Sequence, residues 1–349
     1  MLGRLFGRFS KDMGIDLGTA NTLVYVRDKG IVINEPSIVA VNERTDQILA
    51  VGEEAKKMVG KTPAHIIAHR PLADGVVSDF EVTERMLKYF IEKVHRETFA
   101  VLPRPRVVVG LPLGVTEVER KAVEDATLSA GARQVLLVEE PMAAAIGARM
   151  PVQDASGNMV VDIGGGTTEI AVISLGGVVT WRSLRIAGDE MTENIIQYAR
   201  DQFNLLLGDS TAEKIKVTLG NAVEMEEPFV SKMRGRDLIS GLPKEVEVTS
   251  DHIREAIRST TQMFIENIKS TIEETPPELV ADIFERGMML TGGGALLKGL
   301  DQAIERETGV PVHIDDDPLT AVVRGTGIIL DDLQALKEIL IPPTEKSSE

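Results

Sequence analysis

Ten residues near the start of the chain recur, without a gap, near its middle. Met13-Gly14-Ile15-Asp16-Leu17-Gly18-Thr19-Ala20-Asn21-Thr22 lines up on Met159-Val160-Val161-Asp162-Ile163-Gly164-Gly165-Gly166-Thr167-Thr168. In each copy an apolar strand ends in Asp, turns through glycine and small hydroxylated residues, and enters a second strand, at 23–26 and at 170–173. That is the pattern of a β-hairpin with an unobstructed tip. A weaker repeat pairs Glu140-Pro141-Met142-Ala143-Ala144-Ala145 with Asp317-Pro318-Leu319-Thr320-Ala321-Val322. An acid and a proline ahead of small apolar residues read as a helix opening with Pro at its first position. The chain therefore reads as two related α/β halves, each with a hairpin and a helix. Its 349 residues suit two domains of about 150.

Between these landmarks strand and helix signals alternate. Residues 107–111 and 135–138 are buried-strand runs flanking an amphipathic helix over 116–131. Helical periodicity returns over 189–207, 211–219 and 251–274. The stretch 222–248 is charged and irregular, and Gly235 with the Gly241-Leu242-Pro243 turn suggests a small excursion rather than core. The polar end of the chain, 342–349, is expected to be disordered.

An Asp-apolar-Gly-Thr turn at a strand end suits phosphate. Without a Cβ, backbone N–H groups can converge on phosphate oxygens. Aspartate there would repel phosphate unless a divalent cation lies between, held mostly through water as Mg²⁺ prefers. Two such turns would clamp a triphosphate and bring Asp16 and Asp162 to one metal. Either turn alone is equally an ordinary tight β-turn, in which Asp and Gly are common; the matched pair favours phosphate. A third glycine cluster, Thr291-Gly292-Gly293-Gly294-Ala295, follows an apolar strand and precedes a helix. A flat base or ribose can slide over such a turn, although a helix start with a generous loop reads the same way.

Several chemistries are excluded. The chain has no cysteine, so disulfides, thiolate metal sites and cysteine nucleophiles are absent. The five histidines show no ligand spacing beyond His65 and His69, which have no acidic neighbour and read as surface residues. Gly60-Lys61-Thr62 resembles the end of a phosphate-binding P-loop, but Ala55 stands where its first glycine is required. Gly164–Gly166 is followed by a strand rather than a helix, against a dinucleotide fingerprint. A net charge of −16 disfavours nucleic acid.

Taken in this order, the motifs resemble the superfamily of actin, the seventy-kilodalton heat-shock chaperones and the sugar kinases. The wording of 16–22, Asn34-Glu35-Pro36-Ser37, 71–80, 140–145, 162–169, 211–216 and 290–297 is closer still to the MreB family, the bacterial actins of rod-shaped cells. The resemblance runs to about residue 330 and departs at the N-terminus, the 222–248 excursion and the tail. It implies an actin-like α/β fold, two duplicated ribonuclease-H-like domains around a central nucleotide cleft. The halves would comprise 1–145 with 315–349 (small subdomain about 34–73) and 146–314 (small subdomain about 182–242). It further implies a slow Mg²⁺-dependent ATPase, converting ATP to ADP, that polymerises with itself into filaments directing cell shape and cell-wall synthesis. By the same resemblance Gly18, Thr19, Ala20 and Asn21 hold the β- and γ-phosphates from one side, and Gly164, Gly165, Gly166 and Thr167 from the other. Asp16 and Asp162 organise Mg²⁺ and its waters. Thr211, Ala212, Glu213, Lys214 and Lys216 approach ribose and adenine, and Gly292, Gly293, Gly294 and Ala295 cover the purine. Glu140 sits where the family orients the attacking water, with Thr167 as helper; its other reading is an acid complementing a helix dipole. A chaperone-type ATPase and a small-molecule kinase of the same fold are the alternatives. Only about fifty residues follow Gly292, which leaves no chaperone substrate domain.

The first residues differ from the acidic body. Arg4, Arg8 and Lys11 stand there without an acid, and Leu2, Leu5, Phe6 and Phe9 follow helical spacing on one face. Gly3 and Gly7 weaken that helix by up to ~1 kcal/mol each, so it is expected to fold on lipid. A disordered tail, or a helix packed on the body, is the other reading. Phe99, Val101 and Leu102 form a second membrane contact, as an apolar loop does in the family, or a buried edge to the following strand. No run of the sequence reaches the ~18 apolar residues of a bilayer span. The resulting expectation is a cytoplasmic protein, peripheral on the inner face of the cell membrane, meeting membrane proteins of the cell-elongation machinery.

Overall fold

The hairpin register shows why each half begins as it does. In the computed structural model, which describes residues 11–96 and 104–342, Met13–Leu17 pairs antiparallel with Asn21–Val26, from Met13 opposite Val26 to Leu17 opposite Thr22. Leu2, Leu5, Phe6, Phe9, Phe99, Val101 and Leu102 lie outside the described residues. The described chain divides into two compact units. One comprises Met1–Ser156, Ile173–Val178 and Leu319–Glu349; the other comprises Gly157–Val172 and Val179–Pro318.

In the first unit one sheet runs in the order Leu340–Ile341, Gln134–Glu139, Arg106–Leu111, Met13–Leu17, Asn21–Val26, Gly30–Pro36. Arg106–Leu111 is parallel to both of its neighbours. Its Val107, Val108 and Val109 are completely buried, as expected of a parallel strand covered on both faces. The helix Phe80–His95 places Val82, Met86, Leu87, Phe90 and Ile91 in the same core as Met13, Ile15 and Val109. The Asp79 side chain caps it by accepting the Val82 N–H at 3.0 Å. A smaller sheet centres Val39–Asn42 between Gln47–Val51 and Ile66–His69.

The two proline-led segments diverge. Glu140–Gly147 is a helix with Pro at its start and every residue buried. In the second copy Pro318–Thr320 forms a single 3-10 turn and the helix begins only at Ala321, running to Asp331. Both helices belong to the first unit, not one to each half. They pack backbone against backbone: a Cβ on Gly325 would overlap the Ala143 carbonyl, and one on Gly147 the Ala321 carbonyl.

In the second unit the sheet order is Gly177–Leu184, Thr168–Ser174, Asn158–Ile163, Met288–Thr291, Val312–Ile314. Both sheets join three consecutive strands to strands from later in the chain, three of them in the first unit and two here. Met288–Thr291 is parallel to both neighbours here as well. Helix Gly188–Phe203 ends four residues earlier than its periodicity suggests, because Asn204 turns left-handed (φ 50°) and Leu205–Leu206 becomes a strand. The stretch expected to be irregular is ordered. Val230–Asp237 and Pro243–Thr249 form a hairpin that joins Leu205–Leu206 in one sheet, and its Met233 and Val248 enter the core.

Candidate functional site

Parallel strands deliver their carboxyl ends to one edge of a sheet, where open α/β sheets bind ligands. In the second unit Asp162 stands in register with Thr291 on the adjacent parallel strand. The glycine turn after Asp162 and the glycine turn after Thr291 therefore open side by side. Gly292 (φ 75°) lies so close that a Cβ would overlap the Ile163 carbonyl and crowd Asp162 Oδ1 at 2.5 Å. Asp162 is buried, and burial pushes its carboxyl up to about 6. The Thr291 hydroxyl favours the charged form but makes no hydrogen bond of regular geometry among the described residues. A buried carboxylate beside an unsatisfied hydroxyl suits a hydrated cation.

The turn itself is tight. Gly164 N–H donates to Thr167 O at 2.8 Å, and the buried Thr168 hydroxyl donates to Ile186 O at 2.7 Å. The start of helix Gly188–Phe203 is laid against it: Gly188 N–H reaches Gly164 O at 3.2 Å and Asp189 N–H reaches Gly165 O at 2.8 Å. Helix Asp209–Leu219 follows, with Ala212 wholly buried in the core and Glu213 and Lys214 exposed. Its far end is tied to the third glycine cluster, since Ala222 N–H donates to Lys298 O at 2.8 Å. That cluster forms a 3-10 turn, Gly293–Leu296, with Ala295 buried, and the helix Leu300–Thr308 comes later. Asp162, Gly164, Gly165, Gly166, Thr167, Glu213, Lys216 and Gly292 thus lie on elements of one unit.

The first unit repeats the edge logic. Asp16 lies near the end of Met13–Leu17, and Glu139 is opposite Leu111 at the end of the parallel strand Gln134–Glu139. Glu140 follows as the first residue of its helix and is 8% exposed. Its side chain packs over Gly110, where a Cβ would stand 3.2 Å from Glu140 Cγ. Burial also raises the neighbouring Glu139 carboxyl above its usual range. The hairpin tip is buttressed from behind. The Ser37 hydroxyl donates to Gly18 O at 2.6 Å, Ser37 N–H donates to Ala20 O at 3.1 Å, and the Thr22 and Ser37 hydroxyls are 2.8 Å apart. Gly75 N–H donates to the Thr19 hydroxyl at 2.9 Å.

Ser37, Gly75, Gly188 and Thr192 were not assigned roles by the sequence. Their contributions are contacts between segments 15 to 56 residues apart, which no local pattern records. Only Gly188, just ahead of a periodic helix, left a local sign. Gly60-Lys61-Thr62 follows the short helix Glu53–Lys56 and a turn, not a strand. Among the described residues no three or more His, Asp or Glu side chains are grouped to hold a metal, and no helix is long and apolar enough to cross a membrane.

The chain is similar to known proteins over most of its length. A model of the MreB/Mbl protein family matches residues 10–338. Over 335 residues the chain is 51% identical to the cell shape-determining protein MreB of Escherichia coli (strain K12), covering 95% of this chain and 96% of that one. It is 48% identical to the cell shape-determining protein Mbl of Bacillus subtilis (strain 168), covering 94% and 98%. The crystal structure of MreB 5 of Spiroplasma citri bound to AMPPNP superposes with a TM-score of 0.89 at 36% identity, covering 94% and 98%. The ADP-bound structure of the same protein matches equally.

Proposed function

The chain belongs to the MreB/Mbl family of cell shape-determining proteins, and on that premise we propose how its residues serve a nucleotide-driven filament. It is a cytoskeletal protein of actin-like fold that binds adenine nucleotide. The backbones of the Gly18–Asn21 and Gly164–Thr167 hairpins take phosphate oxygens. Asp16 and Asp162 would hold Mg²⁺ largely through water, and the cation would supply charge neutralisation at the phosphates. Glu213 and the Gly292–Ala295 turn take ribose and purine. Glu140, buried and held over Gly110, orients the attacking water and accepts its proton.

The observation that carries this reading is the register of Asp162 with Thr291, which sets the phosphate turn beside the purine turn on one sheet edge. The AMPPNP- and ADP-bound relatives support the same ligand class. ATP-bound chains assemble into filaments on the inner face of the cytoplasmic membrane, and slow hydrolysis to ADP loosens them. There the filaments meet membrane proteins of the elongation machinery. Leu2, Leu5, Phe6 and Phe9 supply the lipid contact, aided by Phe99, Val101 and Leu102. One short basic amphipathic segment binds lipid marginally, whereas a filament presenting many copies binds tightly.

Titration calorimetry with Mg-ADP, with phosphate release from Mg-ATP, tests the nucleotide reading. One binding event and slow phosphate release are expected, and a protein that binds neither nucleotide overturns it. Removing residues 1–9 should abolish liposome co-sedimentation and spare nucleotide binding. Unchanged co-sedimentation would assign the lipid contact elsewhere.

A further inference from the structure

Lys216 and Glu213 stand three residues apart on helix Asp209–Leu219 and pair at 2.6 Å. Lys216 Nζ also donates to Gly188 O at 2.7 Å and to the Thr192 hydroxyl at 2.9 Å. An ammonium group has three N–H donors, and these three acceptors occupy all of them. The Lys216 side chain is correspondingly 14% exposed, against 48% for Glu213. Lys216 therefore works inside the protein and has no N–H left for a ligand in this arrangement.

Thr192 is the centre of the cluster. Its hydroxyl accepts from Lys216 and lies 2.8 Å from Glu213 Oε2 and 3.1 Å from Gly188 O, the two acceptors that share its proton. Both contacts to the Glu213 carboxylate fall on Oε2, and neither engages Oε1. The same Gly188 whose carbonyl receives Lys216 donates its N–H to Gly164 O of the phosphate turn. Thr192 is 7% exposed and sits on helix Gly188–Phe203, so the cluster ties that helix to the one bearing Glu213.

We propose that Thr192 is a positioning residue of the nucleotide site: its hydroxyl, with Lys216, fixes the Glu213 carboxylate so that Oε1 accepts hydrogen bonds from the hydroxyls of a ribose. This rests on the nucleotide reading above and adds a consequence to it. A carboxylate held in one orientation discriminates against sugars lacking a hydroxyl, because a pre-aimed acceptor is left unpaired. A carboxylate free to turn loses that discrimination. Thr192 touches no ligand itself and acts through Glu213.

Calorimetry of the full chain with Mg-ADP and with the Mg complex of 2′-deoxyADP, at one salt concentration, tests this on wild type, Thr192→Val and Thr192→Ser. Wild type should prefer ADP by about tenfold or more, the worth of a hydrogen bond to a charged acceptor. Thr192→Val, which keeps the side-chain shape, should lose most of that preference, and Thr192→Ser should keep it. Thermal melting confirms that each variant is folded. The proposal is overturned if Thr192→Val retains the wild-type preference, if wild type has none, or if both variants weaken the two nucleotides in equal proportion. A wild-type protein that binds neither nucleotide would instead overturn the nucleotide reading, and the proposal with it.

Discussion

Replacing Asp162 by Asn removes a charge that the folded protein holds at a cost. Burial raises this carboxyl from 3.8 to about 6, against the smaller opposing influence of the Thr291 hydroxyl. A tenfold change in proton affinity is 1.36 kcal/mol, so the ionised group costs the nucleotide-free fold about 3 kcal/mol near neutral pH. The folded value lies above the unfolded one, so the protonated form favours folding. That contribution is complete below the unfolded value of 3.8 and is lost as pH rises through about 6. In chelator and without nucleotide at pH 8, Asp162→Asn should therefore melt higher than wild type, by roughly 2–4 °C for each kcal/mol recovered. The gap should close as the pH falls toward 4. Mg-ADP at a thousand times the wild-type dissociation constant reverses the ranking: wild type gains about 4.1 kcal/mol, more than it lacked, and the variant gains little. Scanning calorimetry over a pH series, with and without Mg-ADP, reads both effects. A variant that is less stable than wild type in chelator, or one that Mg-ADP stabilises fully, refutes the reasoning.

Three further outcomes are expected. Glu140→Ala should bind ATP and assemble normally while phosphate release falls by two orders of magnitude or more, the usual weight of a general base; wild-type release would remove Glu140 from the chemistry. Gly325→Ala should cost about 1–3 kcal/mol in thermal unfolding, because its Cβ meets the Ala143 carbonyl. At an uncrowded helix position the same change would stabilise by up to ~1 kcal/mol, so the sign decides. His95 is buried, with Nδ1 2.7 Å from Ile91 O and Nε2 accepting the Lys11 N–H at 3.0 Å, and burial lowers its pKa below 6.5. The unfolded chain then takes up the proton first, so stability is lost as pH falls through 6.5; His95→Gln should flatten that slope in urea titrations, and an unchanged slope would exonerate the histidine.

What the sequence made legible was what short segments encode. The paired hairpins, the buried strand before Gly110, and the proline-led helix at Glu140 each depend on neighbours within a few residues, and each stands where the pattern places it. The hairpin of Val230–Asp237 with Pro243–Thr249 was hidden because its outward positions are charged. Lys232 and Arg234 both pair with Glu245 at 2.7 Å, while Met233 and Val248 point to the core. Alternation of this kind is a strand signal, but Gly235 and the charges mask it. The packing of helix Ala321–Asp331 on Glu140–Gly147 is a tertiary feature, since Gly147 and Gly325 let the two lie at backbone distance. The part of Thr192 was illegible because it is tertiary: the resemblance points to Glu213 and Lys216, but Thr192 joins them only where two helices meet.

The central claim, that adenine nucleotide drives assembly of this chain on a membrane, is tested most directly by sedimentation with anionic liposomes in Mg-ATP, Mg-ADP and chelator, with negative-stain microscopy of each pellet. The account predicts lipid-bound filaments in Mg-ATP, fewer in Mg-ADP and none in chelator. A protein that stays monomeric in all three conditions would contradict it.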